Sequence, residues 1–382
     1  MTASRIALTV AFLIYGVIAV PSGLDRMSRK SPALEGAVPP PFRAQADRSA
    51  AATALVRKQT DAALAESQAA VAHDPVDADS TALLGTALLE KGRYDEADRA
   101  FRVAARFGWR NPATQAYWLD VSVQSRAFEL AADRADAILR AHPGLADERL
   151  LLSPFEADPA GRKVLADRLR ARPPWTEQYL AVPADMPAET VERRYQVVSQ
   201  LDANPPLGCT AIAPLVRNLL QIGRRPDARQ LWNRQCPARK VSGSLGDPGF
   251  AFVLADNEQD MPFSWIIWRS GDIAMQREDA KGGALVVSNS SSAPRIALYQ
   301  PTALPPGRYR VRASGSAEAG SKITAAFACS GRFPLMEQPE GDLLGEGQVV
   351  TAGDCRDQQL GLWLSGNNST VRLRSIELTA AK

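Results

Sequence analysis

The chain has 382 residues, 45% of them hydrophobic, enough for two or three domains with cores of their own. A net charge of +3 is too small to argue for nucleic acid, no basic cluster is interleaved with aromatics, and no nucleic-acid partner is expected. Only two histidines are present, His73 and His142, and neither lies near a Gly-x-Ser-x-Gly elbow, so a hydrolase triad has no base to use.

The first predicted element is an uncharged run from Ile6 to Val20, preceded by Arg5 and followed by Pro21-Ser22-Gly23. A charged start and a short apolar run describe a secretory signal or an anchor over residues 1–24. Cleavage after Ala19 is one reading. An uncleaved helix from Ser4 to Leu24 is favoured, because no Ala-x-Ala site follows. Arg26, Arg29 and Lys30 come just after the run, and the positive-inside bias would keep them cytoplasmic. The cysteines point the other way: Cys209 with Cys236, and Cys329 with Cys355, close two short local loops that suit disulfides in an oxidising compartment. Together these signals predict a bacterial inner-membrane-anchored protein facing the periplasm. Residues 25–43 read as a tether, since Pro32 and Pro39-Pro40-Pro41 oppose regular helix.

Helical patterning follows from residue 44. Ala63, Ala97 and Ala131 recur at a step of 34 residues; Ala70, Ala104 and Ile138 keep the same step, and Pro75 and Pro143 lie two steps apart. The clearest unit, Ala78 to Trp109, has Leu84-Gly85, Leu88, the turn Lys91-Gly92-Arg93, Asp95 and Glu96 at the next helix start, then Ala97 and Phe101. These residues resemble the tetratricopeptide repeat over 44–143. The flanking units depart from it, with Ser67 and Ala135 at the Phe place, Trp118-Leu119 for Leu-Gly, and a closing proline displaced to Pro112. From 144 to 237 the period fades. Gly223 to Ala228 nevertheless copies the spacing of Gly92 to Ala97, with Trp232 at the Phe101 place, which predicts a divergent terminal repeat held by Cys209 and Cys236.

The resemblance implies a concave surface lined by the first helices, where partners bind. Its groove positions are Gln45 and Arg48, then Asp79, Thr86 and Glu90, then Asp120 and Gln124. Arg48 has Ala82 and Ala116 at its equivalents, so a basic clamp for peptide carboxyl ends is not expected, and the groove is mildly acidic.

After Val241 to Gly249 the pattern changes to short alternating runs: Phe263–Trp268, Ala284–Ser288, Arg295–Gln300, Arg308–Ala313, Ile323–Cys329, Gln359–Leu364 and Thr370–Leu378. These predict an antiparallel β-sandwich over 247–382. Leu304 to Val311 resembles the central strand of jelly-roll carbohydrate-binding modules, and Val371 to Leu378 their last strand. Strand alternation sets Phe263, Trp265 and Ile267 apart from Trp268, and sets Leu360, Leu362 and Leu364 apart from Trp363. Trp268 and Trp363 are then candidates for stacking on a sugar. Arg308, Arg310 and Arg312, with Arg372 and Arg374, are candidates for an acidic polysaccharide. The alternative is that the tryptophans pack against the repeats and the arginines form a solvated face.

Asp256, Glu258, Asp260, Asp272, Glu278 and Asp279 are the acids available to a glycosidase, but all fall in predicted loops. His73 and His142 each precede a repeat-ending proline region, where a histidine complements a helix dipole; no metal or cofactor is expected. The fold class expected is multidomain α plus β, a helical-hairpin array followed by a jelly-roll-like sandwich. The function expected is non-enzymatic: a scaffold that docks a protein through the array and a glycan or second partner through the sandwich, in a setting such as polysaccharide assembly or export. A purely structural adaptor ranks second and a glycoside-active enzyme third.

Overall fold

The structure is a computed structural model that describes residues 3–146, 149–241, 243–255, 261–278, 283–302, 304–329, 340–355 and 358–381. It divides into two compact units, residues 1–155 and 156–382.

The first unit opens with helix α1 (Ala3–Ser28) and continues with α2 (Ala44–Val56), α3 (Thr60–His73), α4 (Ala78–Glu90), α5 (Tyr94–Arg106), α6 (Pro112–Gln124) and α7 (Phe128–Ala141). The six helices from α2 to α7 form three hairpins, α2 beside α3, α4 beside α5 and α6 beside α7. Each hairpin closes on one left-handed residue: Lys58, Gly92 and Arg126 have φ of 58°, 72° and 57°, one repeat step apart. The next amide then bonds back into the first helix: Gln59 to the Ala54 carbonyl, Arg93 to Leu88 and Ala127 to Ser122. Glycine adopts this conformation freely, whereas lysine and arginine adopt it at a cost of about 1 kcal/mol.

Small residues sit where helices cross. Ala63, Ala97 and Ala131 are fully buried. A Cβ on Gly85 would meet the Phe101 ring at 2.8 Å, so that crossing admits only glycine without a shift of the ring. Phe101 lies between the second and third hairpins, stacked on Tyr117 with centroids 4.2 Å apart. Trp118 donates its Nε1 to the Phe101 carbonyl at 3.4 Å. Leu84 packs with Leu88, Ala97 and Ala100, and Leu64 of the first hairpin joins the same cluster. The 34-residue step is therefore the step of a stacked array.

Residues 25–43 are built differently from the expected tether. Helix α1 runs on through Ser28, and short 3-10 turns occupy Pro32–Ala37 and Pro40–Phe42. Proline is tolerated in the first turn of each, where its missing N–H costs nothing. The Asp25 carboxylate accepts from the Gln45 and Ala46 amides at 2.9–3.1 Å. It thereby caps α2, whose own N-cap residue Arg43 offers no side-chain acceptor.

In the second unit, α8 (Arg149–Ala157) contributes Glu156, followed by α9 (Pro159–Arg170), α10 (Thr176–Leu180), α11 (Ala188–Val198), α12 (Cys209–Gln221) and α13 (Arg225–Gln235). Glu156 pairs at 3.1 Å with Arg194, which also donates to the Tyr179 carbonyl at 2.8 Å, so this buried charge is satisfied on both sides. Hairpin α12–α13 repeats the turn of the first unit: Gly223 has φ of 81°, and the Arg224 amide bonds to the Leu219 carbonyl. The disulfide Cys209–Cys236 closes its open end.

The sandwich has strands β1 (Ile266–Ile267), β2 (Ile273–Arg277), β3 (Leu285–Asn289), β4 (Arg295–Pro301), β5 (Gly307–Ala317), β6 (Lys322–Cys329), β7 (Gln348–Ala352), β8 (Gln358–Ser365) and β9 (Ser369–Ala380). They form antiparallel sheets in the orders β1-β4-β8-β6 and β2-β3-β9-β5-β7. From β3 onward each strand lies in the opposite sheet to its predecessor, which is jelly-roll connectivity. Alternation supplies the core: Leu285, Leu298, Val311, Leu362 and Leu373 are buried between the sheets. Cys329 is bonded to Cys355.

Candidate functional site

The seven groove positions occupy the row of first helices, α2, α4 and α6. Arg48 donates to Asp77 at 3.2 Å, to Asp79 at 3.1 Å and to the Gln45 side-chain oxygen. Asn111 donates its side-chain amide to Asp79 at 2.8 Å. A polar ladder thus runs from α2 through α4 to the start of α6, and Gln45, Arg48 and Asp79 are its members. The remaining groove residues are partnered more locally. Thr86 donates to the Ala82 carbonyl at 2.9 Å, Gln124 to Asp120 at 2.6 Å, and Glu90 lies 3.7 Å from Lys58.

Asp77 and Asn111 are two ladder residues that the groove positions do not include. They lie one repeat step apart and cap the starts of α4 and α6, accepting from the Ser80 amide at 2.8 Å and the Thr114 amide at 2.7 Å. The signal was present in Asp77-x-x-Ser80 and Asn111-Pro112, an N-cap signature at matching register. Burial alone would raise the Asp77 carboxyl, but hydrogen bonds from Ser80 and the Arg48 guanidinium outweigh it and hold the group below the usual carboxylate range.

Between the second and third hairpins a mixed cluster joins aromatic and charged groups. Tyr117 donates its hydroxyl to Asp98 at 3.0 Å, and Arg102, bonded to the same carboxylate, lies over the Trp118 ring. Burial and the neighbouring Asp98 charge push the Tyr117 phenol up to about 12. The phenol is therefore a donor at neutral pH and the contact is structural.

On the sandwich, Trp363 does lie opposite Leu360, Leu362 and Leu364, but it is only 2% exposed. It packs with Ile296 and Ala328 in a second apolar cluster, which Trp268, Tyr299 and Ala326 join from the side. Trp268 is half-buried, with its ring edge-on to Tyr299. Stacking a sugar needs an open ring face, and Trp363 has none. Burial on this outer side comes from neighbouring strands whose apolar residues share the face.

The five-stranded sheet presents the opposite case. Arg308, Arg310 and Arg312 are exposed on β5, with Arg374 exposed on β9. Arg310 donates to the Glu346 carbonyl at 3.3 Å, and Arg372 is paired with Glu278 and Glu318 at 3.2 and 3.4 Å. Arg312 stands opposite Glu377 in the strand register, beside a cavity of about 430 Å³ that Ser314 and Ser375 also line.

Of the acids considered for glycoside chemistry, Asp272 is paired with Arg295 at 2.7 Å and Glu278 with Arg372. Asp256, Glu258, Asp260 and Asp279 lie outside the described residues. Among the described residues no group of three potential metal ligands comes together. His73 bonds through Nδ1 to Asp47 at 2.9 Å, and His142 ends α7.

No protein-family model matches the chain. No curated protein matches it either. Among solved structures it is similar to a chain in the structure of Naa15/Naa10 bound to HypK-THB, at 16% identity and a TM-score of 0.22, over 59% of this chain and 35% of that one. The chain thus spans about a third of that protein's length, and the architecture described above rests on its own helices and strands. Helix α1 holds a 21-residue span, Leu8–Ser28, long and apolar enough on average to cross a membrane, and with the two disulfides it fits an extracytoplasmic protein built from stacked helical hairpins and a jelly-roll sandwich.

Proposed function

We propose that the chain is a membrane-anchored extracytoplasmic scaffold of the tetratricopeptide kind, whose row of first helices receives a protein partner. The observation that carries this reading is the exposed edge of that row. Val56, Glu90 and Gln124, one repeat step apart at the ends of α2, α4 and α6, all face solvent, as does Asp120. The ladder at the other end of the row spends Arg48 on Asp77 and Asp79, whereas this edge, with Val56 84% exposed and Glu90 beside Lys58, is left open to a polar segment of a partner. A photo-crosslinking residue at Val56 and at Gln124 tests this in intact membranes. The same adduct is expected from both positions and not from Val103, on the second helix of its hairpin. Adducts from Val103 alone, or from none of the three, would remove the proposal.

The sandwich is read as a polyanion-binding module that uses Arg308, Arg310 and Arg312, in a setting such as assembly or export of an acidic surface polysaccharide. Burial of Trp363 favours a second reading, in which the sandwich is only a structural prop for the last hairpin. Retention of an acidic polysaccharide by the wild-type chain and not by an Arg308→Gln/Arg310→Gln/Arg312→Gln variant supports the first. Equal retention, or none by either, supports the second.

A further inference from the structure

Helix α1 changes character along its length. Its large apolar side chains from Leu8 to Val20 are exposed, Leu13 at 64% and Tyr15 at 70%, whereas Pro21 to Leu24 are half-buried and Asp25 is buried. The 21-residue span Leu8–Ser28 is about 30 Å long at the helical rise, the thickness of a bilayer's hydrocarbon core. The end of that span, at Ser28, therefore falls where hydrocarbon gives way to headgroups. At that level lies a cavity of about 730 Å³ lined by Ser22, Arg26, Arg29 and Lys30 of the α1 end and by Arg48 and His73 of the first hairpin.

Its charges are unequal in availability. Asp25, which also lines it, is spent on the α2 amides; Arg48 is spent on Asp77 and Asp79, and His73 on Asp47. Asp74 adds one half-buried carboxylate. Arg26, Arg29 and Lys30 are exposed and have no ion-pair partner among the described residues. The positive-inside bias disfavours these cations on the disulfide-bearing side of a membrane, so a local anion is needed to account for them there.

We infer that this basic cavity binds the phosphate of an anionic phospholipid headgroup in the leaflet nearest the array. The inference rests on the reading that α1 remains as an anchor. Cations at a bilayer surface each contribute about fivefold in affinity for anionic lipid, so three together give on the order of a hundredfold. Ser22 and the end of α1 set the depth, and the first hairpin forms the far wall.

The test uses the full chain in nanodiscs of phosphatidylcholine containing a minor fraction of phosphatidylglycerol, with lipid retained on the protein read by native mass spectrometry. Wild type is expected to retain phosphatidylglycerol selectively. Arg26→Gln/Arg29→Gln/Lys30→Gln is expected to lose that preference about a hundredfold while both disulfides still form, and Arg26→Lys/Arg29→Lys is expected to keep most of it. Equal retention by wild type and the triple variant overturns the inference. So does displacement of the lipid by millimolar inorganic phosphate, which would make the site one for the free ion. Carbonate extraction of native membranes reads the anchor separately: release of the chain ends the anchor reading, whatever the nanodisc result.

Discussion

Hairpin α4–α5 and hairpin α12–α13 share a turn, a fully buried alanine and a large aromatic four residues beyond it, yet they hide that aromatic in different ways. In the first, Phe101 is covered by Tyr117 of the next hairpin. In the second, Trp232, 1% exposed, meets Phe263 of the sandwich and donates its Nε1 to the Arg239 carbonyl at 2.8 Å. Arg225 reaches the Leu304 carbonyl and Arg239 lies over the Phe252 ring, so the hairpin and the sandwich belong to one compact unit. A repeat that lacks a following repeat must cover its apolar side by other means. Here a jelly roll supplies the cover, which is why the division of the chain falls near residue 155 and not at the 237–247 boundary between helical and strand patterning.

The sharpest way to break this comparison is Trp232→Ala. Loss of a buried tryptophan is expected to cost about 3–5 kcal/mol, read by denaturant unfolding of the second unit's transition. A cost under about 1 kcal/mol would mean that the sandwich is not what stabilises the last hairpin.

A smaller effect probes the ladder, which the last hairpin lacks. Asp77→Asn keeps a capping acceptor but removes the charge facing Arg48, and is expected to cost about 1 kcal/mol at neutral pH. Because the folded Asp77 is held below its ordinary value, its contribution is complete above the unfolded value and disappears as pH falls through the folded one. The wild-type advantage over Asp77→Asn should therefore begin to shrink near about pH 4, the unfolded value, and vanish only in stronger acid, below the folded one. An advantage that persists into strong acid would show that the charge is not involved.

An effect of similar size compares turns of identical geometry. Lys58→Gly should stabilise the first hairpin by about 1 kcal/mol and Gly92→Ala should destabilise the second by a similar amount. Thermal unfolding reads both, and shifts of the same sign would mean that neighbouring contacts, not φ, set the turn's stability.

The same positions explain what the sequence could disclose. The buried alanines were legible because close helix crossings admit only small side chains, and the cysteines because each pair is local. The turn residues Lys58 and Arg126 were not, since nothing in a lysine or arginine announces a left-handed backbone. The side of the sheet taken by Trp363 followed from alternation, but its burial did not. That depends on Ile296, Ala328 and Tyr299, which come from strands far apart in the chain. In the groove, Arg48 was readable as a lone cation. Its partners Asp77 and Asp79 lie about thirty residues on and became neighbours only when α4 settled beside α2.

One carboxylate has a mechanical consequence. Because Asp25 belongs to α1 and grips the first amides of α2, no slack chain separates the apolar rod from the stack it carries. A load on the first hairpin is handed directly to the helix below it, and any tilt of that helix becomes a tilt of the hairpin. Replacing that grip would convert a stiff post into a swivel, with the partner-facing edge no longer held at a set height or heading.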